Sequence, residues 1–230
     1  MKELEKRIHE DLGYEFRDKE LLKNALTHSS YAHEQGLSYS LNNERLEFLG
    51  DAVLELSSSK YMFENFPELP EGDLTKLRAA LVCEVSLADV ARKLHFGDFI
   101  LLSKGEKQSG GEKRDSILSD AVEALIGALY IDGGFEIADE FVKKHILVDI
   151  EHKQMIFESK SRLQEMVQDK YHANTRIEYV IIDETGPAHA KKFKTACYVQ
   201  GEKISEGTGP TKKKAESTAA YEAIKVLTSK

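Results

Sequence analysis

The chain has 230 residues, 41% of them hydrophobic, and a net charge of −8, which allows one large domain or a medium and a small one, each with its own core. Its two cysteines, Cys83 and Cys197, stand in no CxxC or metal-type spacing, which excludes a disulfide framework and points to a reducing compartment. No uncharged apolar run is long enough for a bilayer, and the charged start MKELEKRIHEDLGY has no signal-peptide core, so a soluble, cytoplasmic protein with no membrane partner is expected.

In chain order, the first 150 residues read as helix after helix. Leu4, Ile8 and Leu12 mark the first, and Leu21, Leu22, Ala25 and Leu26 the second. Then come NNERLEFLGDAVLEL (Asn42 to Leu56), LRAALVCEVSLADVARKL and SILSDAVEALIGALYIDGGF, each with apolar residues three and four apart. Pro67 and Pro70 mark one break, Gly110 and Gly111 another, and Gly133 with Gly134 a helix stop. After about Lys153 the pattern changes. SKSRLQEMVQDK reads as a short helix, IEYVIID, FKTACYVQG and GEKISEG as strands, and PTKKKAESTAAYEAIKVL as a closing helix. The expected architecture is an all-α domain over 1–150, a linker over 151–158, and a small α+β domain of α-β-β-β-α order over 159–230.

The charge divides in the same place. From Ser159 to Lys230 there are 13 Lys plus Arg against 9 Asp plus Glu, a net of +4, leaving residues 1–158 at −12. An acidic body with a basic tail implies two modules with different partners.

Within the acidic body, the carboxylates are patterned. Glu44, Glu47 and Asp51 share one stripe about 60° wide on a helix of 100° per residue, and Glu55 extends it. Leu46, Leu49, Val53 and Leu56 lie on the apolar side, with Phe48 and Leu54 flanking the stripe. From Ile117 to Ile131 the only charges are Asp120 and Glu123, three apart in a run that is apolar almost all round, with Gly127 one turn beyond. A single ExxE or DxxE pair is common as a solvated face. Carboxylates in apolar surroundings, with no Lys or Arg patterned against them, must be protonated or hold a cation. An oxygen-only set selects Mg²⁺ or Mn²⁺ over Zn²⁺, and such ions serve phosphodiester chemistry.

The basic tail carries Lys212, Lys213 and Lys214 in the first turn of its closing helix, behind Pro210. Three cations at the partially positive end of a helix are unfavourable, and a phosphate would relieve them. The segment GPAHAKKF places His189, Lys191 and Lys192 in the loop between the first two strands, while Ser161, Gln164 and Glu165 sit on the leading helix. Elsewhere, THSS with His28 and Ser29 offers no acidic partner for a nucleophilic pair, and KGEKQSGGEKR follows no P-loop spacing.

NERLEFLGDAVL and SDAVEALIGALYIDGG, with LTHSS before them, EGDLTKLRAALV between them and the α-β-β-β-α tail after them, resemble the bacterial ribonuclease III family over almost the whole chain. The resemblance implies an all-α nuclease and dimerisation domain followed by a double-stranded RNA-binding domain. It implies that Glu47, Asp51, Asp120 and Glu123 bind metal, with Asp51 and Glu123 catalytic, and that Glu44 and Glu71 are further acidic positions of the catalytic valley. Phe48 corresponds to a residue that packs into the partner subunit of a homodimer. The tail residues Ser161, Gln164, Glu165, His189, Lys191, Lys192 and Lys212 to Lys214 correspond to contacts across successive grooves of A-form RNA. The expected activity is Mg²⁺-dependent cleavage of both strands of double-stranded RNA, with Mn²⁺ as a substitute ion. The ends would carry 5′-phosphate and 3′-hydroxyl groups, and the substrates would be ribosomal RNA precursors and structured messages. A nucleotide pyrophosphatase also builds ExxE sites on helices, but would have no use for a duplex-binding tail.

Overall fold

The computed structural model describes residues 2–148, 150–171, 176–186 and 191–228. They fall into two units, Met1–Val148 and Asp149–Lys230.

Among its described residues, the first unit is helical apart from one isolated bridge between Thr27 and Leu101. It begins with α1 (Lys2–Leu12), α2 (Lys19–Ala25) and α3 (Ser29–Glu34), followed by α4 (Glu44–Asn65) and α5 (Glu71–Leu81). It ends with α6 (Glu84–Lys93), α7 (Lys104–Gln108), α8 (Asp115–Gly133) and α9 (Phe135–His145). The centre is α8, which buries Ile117, Leu118, Val122, Leu125, Ile126 and Leu129 on every side and packs against α2, α4, α6 and α9. Truncating one such leucine to alanine costs about 2–5 kcal/mol, the transfer term plus a cavity. The double glycine stops α8 as its sequence implies. Gly134 takes φ +88 and its N–H returns to the Tyr130 carbonyl.

Two features differ from the sequence reading. LRAALVCEVSLADVARKL is not one helix: the chain turns extended at Cys83 (ψ 156°), between α5 and α6. The Ser86 hydroxyl donates to the Ala80 carbonyl at 3.2 Å, satisfying an acceptor that the end of α5 leaves open. On α4, the buried side is formed by Leu46, Gly50, Val53, Leu54, Ser57 and Ser58, whereas Leu56 is 58% exposed. The core therefore lies nearer the acidic stripe than the leucine spacing suggested. Ser57 donates to Asp139 Oδ1 at 2.5 Å, and Lys143 pairs with Asp139 Oδ2 at 2.6 Å, so the polar groups that tie α4 to α9 are satisfied.

The second unit has the expected order: α10 (Ile150–Tyr171), β1 (Ile177–Thr185), β2 (Lys192–Val199), β3 (Glu202–Gly209) and α11 (Lys212–Thr228). The segment expected as a linker, 151–158, lies within α10. The sheet is antiparallel in the order β1-β2-β3, with Tyr179 opposite Cys197 and Cys197 opposite Ser205. Leu163 and Val167 of α10, Cys197 and Val199 of β2, and Ala219, Ala220 and Ala223 of α11 share one core, so both helices cover the same face of the sheet. Small residues let α11 lie close against β3. A Cβ on Gly207 would stand 2.1 Å from the Ala219 nitrogen.

Candidate active site and RNA-binding surface

Two acidic pairs three residues apart, on different helices, become a site only if the helices meet closely. The meeting is made by two glycines. A Cβ on Gly50 of α4 would lie 1.8 Å from the Glu123 carbonyl oxygen, and one on Gly127 of α8 would lie 2.2 Å from the Leu46 carbonyl oxygen. The two backbones touch, and the carboxylates one turn away from each glycine are brought face to face. Glu47, Asp120 and Glu123 each offer a ligand atom within 4.8 Å of the others. All three are half-buried, while Asp51 is exposed beside them.

The crowding shows in their protonation. Burial, then the nearby Asp51, Asp120 and Glu47, push Glu123 up to about 8. Burial, then Asp120, Glu44 and Asp51, push Glu47 up to about 7. Asp120 is also raised, chiefly by burial and further by Glu84, against the opposing Ser119 hydroxyl and His28. Among the described residues no lysine or arginine stands among the causes of these shifts. Neighbouring carboxylates of this kind are relieved either by protons or by a cation. The all-oxygen donor set fits a hard divalent ion, so the residues present suit the group that the sequence implied.

Glu44 is half-buried at the start of α4, where it accepts the Tyr39 hydroxyl and acts on Glu47 through space. Glu71 is exposed at the start of α5, accepts Thr75 Oγ1 at 2.9 Å and is not one of the three clustered ligands. Phe48 is 81% exposed, which removes it from the core of its own protomer.

On the second unit, Ser161, Gln164 and Glu165 are exposed on α10, and Lys212, Lys213 and Lys214 are exposed in the first turn of α11. Lys191 pairs with Glu184, Lys212 also acts on Glu184, and the Lys212 ammonium stands 5.9 Å from the centre of the Phe193 ring. These contacts bring Lys191 and Lys212 together around Glu184 at the β1–β2 end of the sheet, where Lys192 begins β2 opposite Thr185. His189 lies outside the described residues.

Residues 18–150 match the ribonuclease-III-like family model, and residues 159–227 match the double-stranded RNA binding motif. Ribonuclease 3 of Oceanobacillus iheyensis is 48% identical over 219 residues, covering 94% of this chain and 95% of that protein. Ribonuclease 3 of Streptococcus mutans is 45% identical over 229 residues, covering 99% and 98%. The chain belongs to the ribonuclease III family. A solved nuclease domain of ribonuclease III from Campylobacter jejuni, described for flexibility in a region involved in dimer formation, is 51% identical with a TM-score of 0.56. It covers 61% of this chain and 94% of its own.

As a member of this family, the protein is an endoribonuclease for double-stranded RNA, with the nuclease domain first and the RNA-binding domain second. Its acidic cluster is one that could hold a metal ion. Among the described residues no helix is long and apolar enough to cross a membrane. Sequence reasoning marked Gly127 as leaving room, but it missed Gly50, whose signal was its place between Glu47 and Asp51 on the same helix. It also missed Glu84 and His28 as neighbours of Asp120, because one begins α6 and the other precedes α3, and only the fold brings them near.

Proposed function

We propose that Glu47, Asp51, Asp120 and Glu123 hold Mg²⁺, with Mn²⁺ as a substitute, and that this site cuts one strand of an RNA duplex. The observation that carries the reading is the close set of raised carboxylates on α4 and α8, with Glu123 pushed up to about 8 and no lysine or arginine among the described residues offsetting it. When bound, the ion supplies an activated water and neutralises charge on the phosphoryl oxygens. The protein's own part is orientation. Asp51 and Glu123 present carboxylate oxygens toward the reacting water, Glu44 supports Glu47 from the preceding turn, and Glu71 adds an acidic group at the start of α5. Cleavage leaves a 5′-phosphate and a 3′-hydroxyl end.

The exposed side of α4 favours a homodimer, which would set two such sites against the two strands. Phe48, Leu56 and Phe63 are 81%, 58% and 77% exposed and lie on one face of the helix, an apolar surface suited to a second copy. The second domain grips the duplex through Ser161, Gln164 and Glu165, the loop with His189, Lys191 and Lys192, and Lys212 to Lys214 against phosphates. In a cytoplasmic setting, the substrates are ribosomal RNA precursors and structured messages. The test is incubation of long duplex RNA with the protein in Mg²⁺, in Mn²⁺ and in EDTA, with end-group analysis of the fragments. Cleavage to 5′-phosphate ends in both ions and none in EDTA is expected. Robust turnover in EDTA would defeat the reading.

A further inference from the structure

The segment Thr27-His28-Ser29-Ser30 is held more firmly than a loop before a six-residue helix requires. Leu101 donates to the Leu26 carbonyl at 2.7 Å, and His28 donates to the Leu101 carbonyl at 3.1 Å. The Ser103 amide donates to Ser30 Oγ at 3.2 Å, and the Lys104 amide to Glu34 Oε2 at 3.1 Å. On its other side, the Asn43 amide donates to the Thr27 carbonyl at 2.8 Å, which fixes the segment against the start of α4, one residue before Glu44. His28 is therefore placed between two stretches of chain, one of which leads into the carboxylates of α4, and it acts electrostatically on Asp120.

The imidazole has a defined tautomer. Nδ1 accepts the Ser30 amide hydrogen at 3.2 Å and lies 2.8 Å from Ser30 Oγ. A backbone amide can only donate, so Nδ1 is an acceptor and the ring proton sits on Nε2. Among the described residues no hydrogen bond takes up that Nε2–H. As a helix cap, His28 would be matched or bettered by Ser, Asp or Asn. What a histidine adds is a half-buried N–H donor carried one ring farther out, on a residue whose charge is felt at Asp120.

We propose that His28 is a further substrate-contacting residue of this active site, its Nε2–H donating to a non-bridging phosphate oxygen of the RNA strand held at the carboxylates. The inference rests on the proposed metal-dependent site. A fixed N–H donor suits that position, since the ring meets the phosphate oxygen from one direction, unlike the flexible ammonium of a lysine. The donor is oriented before the RNA arrives, so its hydrogen bond is available as charge shifts on the phosphoryl oxygens.

The experiment compares wild type, H28S, H28Q and E123Q as full-length proteins on one duplex, by single-turnover rate, by Mg²⁺ titration and by thermal melting. Serine keeps the cap and removes the ring, whereas glutamine returns an amide N–H near the Nε2 position. H28S is expected to cleave at least about tenfold more slowly with its melting temperature and half-saturating Mg²⁺ unchanged, the range for one lost hydrogen bond to a charged group. H28Q should recover part of that loss. A wild-type rate for H28S overturns the proposal, as does a slow H28S that melts earlier or is restored by raising Mg²⁺. Cleavage by E123Q would instead overturn the metal site on which the proposal rests.

Discussion

Glu123 is the residue on which the site's electrostatics turn. Its carboxyl, pushed up to about 8 from an ordinary 4.5, keeps a proton in the metal-free folded protein over a range where the unfolded chain has released it. Glu47, pushed up to about 7, behaves alike. The folded state binds more protons between those limits, so these two groups make stability fall as pH rises from 4.5 through about 8. In EDTA, the melting temperature of the wild type should decline more steeply from about pH 5.5 to 8 than that of E123Q, which keeps Glu47 but has lost the carboxyl raised furthest. Mg²⁺ competes with the same protons and should raise the melting temperature of the wild type more at pH 8 than at 5.5. Equal slopes for wild type and E123Q would show that Glu123 is not crowded as described.

The elements explain why acidic side chains separated by 76 positions, Glu47 and Glu123, can share an ion. The crossing of α4 and α8 tolerates no side chain at Gly50, where a Cβ would overlap the Glu123 carbonyl at 1.8 Å. Gly50→Ala should therefore force the helices apart. Overpacking of this kind costs about 1–3 kcal/mol, and a backbone clash lies at or beyond the top of that range. Urea unfolding should show the loss, and the variant should also lose the rise in melting temperature on adding Mg²⁺. A stable Gly50→Ala variant that still responds to Mg²⁺ would mean that the close crossing is not what forms the site.

Much at this scale was legible from spacing alone: the acidic stripe of α4, the almost wholly apolar α8 with its two carboxylates, the glycine stop at 133 and 134, and the α-β-β-β-α tail. The break at Cys83 was not, because the residues on both sides favour helix, while the turn is closed by the Ser86 hydroxyl on the Ala80 carbonyl. Nor was the exposure of Leu56 and Phe63, since a wheel distinguishes apolar from polar faces but not a face for the core from one for another chain. His28 is legible in sequence only as a residue beside two serines. Its position depends on hydrogen bonds to Leu101 and Ser30, and its neighbourhood on Asp120.

For the whole molecule, chemistry and grip reside in different units. The helical unit has its own core around α8, and the second has another around Leu163, Cys197 and Ala219. Removal of Asp149–Lys230 should thus leave a folded protein that still cuts duplex RNA, but only at low ionic strength, because most phosphate contacts are lost from an acidic body. Replacing Lys212 and Lys213 with alanine in the full chain should weaken binding and flatten its salt dependence by roughly one unit of slope per lost phosphate contact, with the cleavage sites unchanged. Cleavage rates across a salt series test both; a truncated protein that matches the full chain throughout would assign the grip elsewhere. The most direct test of the central claim, that the carboxylates crossing at Gly50 and Gly127 form a metal-dependent nuclease site, is a pair of assays on wild type and E123Q with one labelled duplex. Binding is measured in Ca²⁺ and cleavage in Mg²⁺. The account predicts that E123Q binds the duplex within about fivefold of wild type, a change of about 1 kcal/mol, while its cleavage falls by several orders of magnitude. Cleavage by E123Q at the wild-type rate in ordinary Mg²⁺ would contradict it.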